Sequence, residues 1–287
     1  MDVLIEFLKY IFLGAIQGVT EVLPVSSSGH VSVFQEIFST DIDNSPFFLI
    51  LLNFGSMIAV IYYLRKDLKV YWNSFFAFIF KGNRENEVKK NVCYLRNVFY
   101  GVIPILALGY FIDLLIRKYF TVNPLLIIGI GSLMTATILY VVRNHMEMHV
   151  NKDVKASDAW YIGFVQVISI MPGLSRLGVA TAAGVNRKLS MDSALKFTFM
   201  MFIPISIATI FYQVLSANFD AESMMQNFDF SNALHYLYYS IAFVVSIVAT
   251  YFALKWIFIW FRKGKLAFFY IYNFVFGFIT LFIGLNK

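Results

Sequence analysis

Charge is what this chain has least of. Only 14% of its 287 residues are charged, against 59% hydrophobic and 18% aromatic, and its mean hydropathy is +0.70. Soluble globular domains carry roughly 25% charged residues. A chain of this length with so few charges cannot clothe its surface in polar groups, which excludes a soluble domain and predicts a polytopic integral membrane protein. Cysteine is nearly absent too. Cys93 stands alone, excluding an internal disulfide and a cysteine-based metal cluster. The N-terminus, MDVLIEFLKY, lacks a basic n-region and a small-residue cleavage site, so it is read as part of the mature fold and not as a signal peptide. The net charge of +6 is no nucleic-acid footprint, because Lys and Arg of membrane proteins sort to cytoplasmic loops.

What is present is apolar sequence in long runs. A spanning helix needs about 20 mostly apolar residues, and six stretches qualify, near 46–64, 92–115, 122–142, 193–215, 234–261 and 267–285. Two more regions are apolar but interrupted: 3–36, broken at Pro24 to Gly29, and 157–190, broken at Pro172 to Gly178. With each half read as too short to cross, both are expected to be re-entrant helix–break–helix hairpins. No linker divides the chain, so 1–287 is one integral membrane domain. The expected fold is all-α, with about six full transmembrane helices plus two re-entrant hairpins in an inverted-topology repeat.

The repeat is suggested by the breaks themselves. Gln17 lies seven residues before Pro24 and Gln166 six before Pro172, and the prolines open PVSSSG and PGLSRLG. Paired interruptions in corresponding halves point to a mid-membrane site. Charge supports the inversion. Loop 65–91 carries Arg65, Lys66, Lys69, Lys81, Arg84, Lys89 and Lys90, whereas 216–233 has no Lys or Arg and holds Asp220, Glu222 and Asp229. By the positive-inside rule the first loop is cytoplasmic, with 143–156, 187–192 and 262–266 on its side. The first hairpin then enters from outside and the second from inside, so their tips can meet.

Chemistry concentrates at those tips. Gln17 and Glu21 are four apart and share a helix face. After Pro24, Ser26, Ser27, Ser28 and Gly29 open a new helix, whose free N–H groups and dipole suit an anion, and His30 follows within its first turn. After Pro172 and Gly173, a helix starts with Ser175, Arg176 and Gly178. Arg176 is the only basic residue between Lys155 and Arg187. An intramembrane charge is costly enough to call for a partner or a function, and a guanidinium fork fits phosphate oxygens. A structural salt bridge between Glu21 and Arg176 is the bland alternative, and serines after a proline are commonly a plain helix cap. His145, His149 and His235 fall at span edges or in loops, where surface roles suffice. Asp113 and Lys255 lie near span ends and can snorkel.

At these residues the sequence resembles the undecaprenyl-diphosphate phosphatase family, also known as the bacitracin-resistance protein family. Gln17, Glu21 and the run from Pro24 to His30 match one family pattern in full. Pro172, Gly173, Ser175, Arg176 and Gly178 match a second in part. The family's serine after the arginine is Leu177 here and its threonine is Ala180, with Thr181 one place later, about 100° around a helix. The resemblance implies hydrolysis of a polyprenyl diphosphate to the monophosphate and inorganic phosphate, recycling a glycan lipid carrier. It also implies a multi-pass protein of the cell membrane, a site open to the outer face, and a divalent cation, Mg or Ca. Glu21, Ser27, His30 and Arg176 are then the catalytic candidates. Gln17, Ser26, Ser28, Gly29, Gly173, Ser175, Gly178 and Thr181 are binding candidates, and Glu21 is a metal ligand. Either Ser27 or His30 is the nucleophile, with Glu21 as base or acting through the metal. The alternative is a lipid-phosphate or anion translocator without hydrolysis, since transporters also use inverted repeats and broken helices. A membrane scaffold would leave Glu21 and Arg176 unexplained. Oligomeric state is open.

Overall fold

A computed structural model describes residues 2–37, 46–119, 123–143, 153–216, 233–263 and 265–286. His145, His149 and the acidic loop with Asp220, Glu222 and Asp229 lie outside them. Every secondary-structure element among the described residues is helical. The first hairpin is α1 (Asp2–Glu21) and α2 (Ser27–Ile37), followed by α3 (Pro46–Tyr63), α4 (Arg65–Phe80), α5 (Asn86–Tyr119) and α6 (Pro124–Arg143). The second hairpin is α7 (Ala156–Gln166), a 3-10 turn over Val167–Ile170, and α8 (Arg176–Asn186). The chain closes with α9 (Met191–Ser216), α10 (Ala233–Arg262) and α11 (Ala267–Leu285).

Among the described residues six helices are long and apolar enough to cross a membrane, but they are not quite the six expected. They are α1, α5, α6, α9, α10 and α11. The first hairpin's leading arm, expected from sequence to be too short, is a 20-residue helix and so about 30 Å long. Glu6 and Lys9 in its first half and Gln17, Thr20 and Glu21 in its last turns shorten the unbroken apolar run and make the arm look too short. The stretch at 46–64 instead meets the criterion only together with α4, to which it joins through a 73° bend. On α4, Trp72, Ile79 and Phe80 are exposed, as suits a helix in the headgroup region.

Packing between the two halves is reciprocal. The leading arm of each hairpin lies against the long penultimate helix of the other half: α1 on α10, α7 on α5. The last helices of the halves, α6 and α11, pack on each other. Without a hydrophobic driving force between helices in lipid, close approach depends on small residues. Gly14 and Gly18, four apart on α1, provide it: a Cβ on Gly18 would sit 2.5 Å from the Ser246 carbonyl oxygen of α10. Gly163 of α7 meets Gly101 of α5 in the same way, where a Cβ would lie 2.5 Å from the carbonyl oxygen.

Candidate active site

Both breaks begin their second helix with the same cap. At the first, the Gly29 amide donates to Ser26 Oγ at 3.2 Å. At the second, the Gly178 amide donates to Ser175 Oγ at 3.1 Å. Ser26 and Ser175 are therefore equivalent N-caps, which puts Ser27 opposite Arg176 at the first helical position. It also puts Ser28 opposite Leu177, and Gly29 opposite Gly178. Each cap satisfies one amide and leaves those of the first two helical residues without an intrahelical acceptor.

The two breaks touch. Ser175 Oγ donates to the Leu23 carbonyl at 3.5 Å, and a Cβ on Gly178 would lie 3.4 Å from Pro24 Cβ. Each is held by a last helix. Asn273 of α11 donates through Nδ2 to the Pro24 carbonyl at 2.9 Å, and Thr135 Oγ1 of α6 accepts from the Ser175 amide at 3.0 Å. Gly173 has φ +90°, and a Cβ there would drive into the Ile128 backbone, with Cα at 2.7 Å. Gly173→Ala should cost about 2–4 kcal/mol, from left-handed strain plus overpacking. Gly82 also has positive φ, 63°, but nothing lies within 4 Å of its Cβ position. Gly82→Ala should cost only about 1 kcal/mol, the strain alone. Thermal unfolding in detergent compares the two, and equal shifts would show that the Ile128 contact is not what demands glycine.

Where the breaks meet lies a cavity of about 80 Å³, several times what a single water needs. Glu21, Ser26, Ser27, Ser28, Ser175 and Arg176 line it. The alternative of a salt bridge between Glu21 and Arg176 is not realised: among the described residues no ion pair joins them and the guanidinium has no partner. Glu21 accepts instead from Gln17 Nε2 at 2.9 Å. A half-buried arginine beside Ser26, Ser27, Ser28 and Ser175 and two helix starts is a charge arranged for an anion that comes and goes.

The remaining candidates support the cavity from outside it. Gln17, Gly29, Gly173 and Gly178 stand behind its wall. His30 is 1% exposed and turned toward α11. Its Nδ1–H donates to the Ser26 carbonyl at 2.6 Å, its Nε2 accepts from the Tyr272 hydroxyl at 2.7 Å, and its ring stacks on Phe276 at 3.9 Å. Both ring nitrogens are engaged, and His30 is not among the cavity-lining residues. Thr181 is also buried behind the wall, its hydroxyl 3.4 Å from that of Thr198.

Thr198, Gln166 and Ser169 do line the cavity, and sequence reasoning misses them as site residues. A hydroxyl amid the apolar FTFMMF of α9 is the signal for Thr198. For Gln166 the only signal is its spacing to Pro172.

Residues 10–279 match the model of the family described as bacitracin resistance protein BacA. This chain belongs to that family. A protein named undecaprenyl-diphosphatase from Oceanobacillus iheyensis is 30% identical over 272 residues, covering 95% of this chain and 94% of the relative. One named undecaprenyl-diphosphatase 1 from Bacillus licheniformis is 32% identical over 286 residues, covering 98% and 99%. An undecaprenyl-diphosphatase from Acholeplasma laidlawii is 36% identical over 212 residues, covering 72% and 75%. Against the BacA motif, the two departures have different consequences here. Leu177 lines the cavity, so the missing serine removes a polar group from the wall. Ala180 is fully buried and does not line the cavity. Thr198 lines the wall instead, its hydroxyl donating to the Ala194 carbonyl at 2.9 Å, with Thr181 behind it.

The donor set can be weighed for a divalent cation. No group of three or more His, Cys, Asp or Glu that could hold a metal occurs among the described residues, and Glu21 is the one carboxylate on the cavity wall. That does not make an all-protein cage. It does fit an ion such as Mg, held through one carboxylate plus the phosphates of a substrate.

Proposed function

We propose that this chain hydrolyses undecaprenyl diphosphate to undecaprenyl phosphate and inorganic phosphate, returning the lipid carrier of glycan export to use. The observation that carries this is the unpartnered Arg176 guanidinium, in one cavity with Ser27 and Glu21. Arg176 takes the terminal phosphate through two N–H groups, and the free amides at the two helix starts add donors for charge that grows on its oxygens. Ser27 is the nucleophile and Glu21 its base. The Ser27 Oγ–H proton passes to Glu21 as Oγ bonds the terminal phosphorus, and undecaprenyl phosphate leaves with the bridging oxygen. A water oxygen then bonds the phosphoserine phosphorus as the Oγ–P bond breaks; Ser27 Oγ takes back the proton held by Glu21, and phosphate leaves carrying the water's oxygen and protons. A bound Mg or Ca would neutralise diphosphate charge, with Glu21 as its protein ligand. His30, held by Ser26 and Tyr272, fixes the start of α2 and with it Ser27.

The charge bias of the loops supports a cytoplasmic placement for α4 and its flanks, and the family resemblance implies a cell-membrane protein whose cavity serves the outer leaflet. The translocator alternative is not favoured, since the relatives are named for diphosphatase activity and translocation has no need of a serine and a carboxylate together. The test is phosphate release from undecaprenyl diphosphate by the purified protein in detergent, with and without Mg or Ca. Metal-dependent release is expected. No release by well-folded protein across several prenyl chain lengths would overturn the proposal.

A further inference from the structure

Asn53 lies outside every motif of the chain. It sits in the middle of α3, PFFLILLNFGSMIAVIYY, whose only other polar residues are Ser56 and the two terminal tyrosines. An amide in such a helix is costly unless it bonds to a neighbouring helix. It does so: Gln17 Nε2 of α1 donates to Asn53 Oδ1 at 2.6 Å. The same nitrogen donates to Glu21 Oε2 at 2.9 Å. The amino group of Gln17 has two hydrogens, and both are therefore assigned, one to the carboxylate in the cavity and one to Asn53.

We infer that Asn53 is a positioning residue for hydrolysis, locking the Gln17 amide so that its NH2 faces Glu21 throughout the catalytic cycle. This rests on the proposed role of Glu21 as base. While Glu21 is ionised, it holds the Gln17 NH2 by itself. Once it has taken the serine proton it becomes a donor, and an untethered Gln17 would rotate to offer its carbonyl oxygen. That would trap Glu21 in its protonated form and slow return to the starting state. With Asn53 Oδ1 in place the rotation sets two oxygens against each other at hydrogen-bond distance, so Gln17 can turn only if Asn53 turns with it, and the rotation is opposed. The second half contains no such device. Gln166 Nε2 donates to the Gly101 backbone carbonyl at 2.8 Å, and the residue four places on is Ile170, so there is no carboxylate to orient.

Asn53 does not line the cavity, which predicts an effect on turnover and not on substrate binding. Asn53→Leu should lower kcat about 10-fold, the lower end of what loss of an outer-shell partner costs, with KM within about 2-fold of wild type. Gln17→Leu should lower kcat at least as much. The Gln17→Leu, Asn53→Leu double variant should be no slower than Gln17→Leu alone, because Asn53 has nothing left to act through. Independent, multiplying losses would overturn the inference, as would a raised KM with unchanged kcat. The same cycle read as thermal unfolding in detergent tests the pair without any turnover. Additive shifts there would show that Asn53 and Gln17 are not coupled, and would also overturn it. Absence of phosphate release from wild type would instead count against the diphosphatase reading, leaving the unfolding cycle to judge the Gln17–Asn53 tether.

Discussion

Replacing Arg176 with alanine is expected to lower kcat for phosphate release from undecaprenyl diphosphate by about 10³-fold and to raise KM as well. The size follows from the part it plays. Removing a single neutral donor to a developing oxyanion typically costs 10²–10³ in kcat, and Arg176 supplies two donors and a full charge. No other cationic side chain lines the cavity, since Glu21 and the serines complete its charged and hydroxylic wall with Thr198. The helix-start amides remain in the variant and keep a residue of activity. Arg176→Lys separates charge from geometry. An ammonium restores the charge but not the planar fork, so it should recover only part of the loss, about 10-fold of the 10³. Full recovery by lysine would mean that the charge alone matters, and an unimpaired alanine variant would remove Arg176 from the mechanism. Because the guanidinium has no hydrogen-bond or ion-pair partner among the described residues, neither variant should lower the unfolding temperature appreciably.

That resting isolation of Arg176 is not legible in the sequence, although Arg176 itself is. The two interruptions, their proline-led serine turns and the long apolar runs stand out because local chemistry and periodicity carry them. The cap equivalence needs coordinates: three consecutive serines do not disclose which one spends its hydroxyl on the Gly29 amide, and only the match of Ser26 with Ser175 shows that Ser27 is freed. His30 is the converse case. Its place in the first turn of α2 suggests the cavity, but its ring is claimed by Tyr272 of α11, a partner 242 positions away in the chain. Thr198 and Asn53 reach the site or its support from α9 and α3 by tertiary packing, and no local pattern marks such residues. The arm length of α1 is hidden for a related reason. Charged and polar residues toward both ends leave a short apolar run in the sequence, and only the coordinates show one continuous helix of 20 residues.

Glu21→Gln is expected to be as severe as Arg176→Ala, about 10³-fold in kcat, and its metal response should identify what the carboxylate does. General-base assistance contributes typically 10²–10⁴-fold, and the amide cannot accept the Ser27 proton. The substituted side chain would also be neutral, so the one protein carboxylate available to a cation is gone. If Glu21 serves both as base and as ligand, the variant needs a higher Mg or Ca concentration for half-maximal rate, and its rate at saturating metal stays low. Rescue to near wild-type rate by excess metal would confine Glu21 to holding the ion and would remove it as the base. An unchanged metal midpoint with low kcat would confine it to proton transfer. Gln17 makes the variant a fair structural probe, because its Nε2 can still donate to the carbonyl oxygen of the new amide, and Asn53 holds it in place at 2.6 Å. A loss of activity in Glu21→Gln therefore reports the missing charge and the missing base, with the hydrogen bonds that position the side chain left in being.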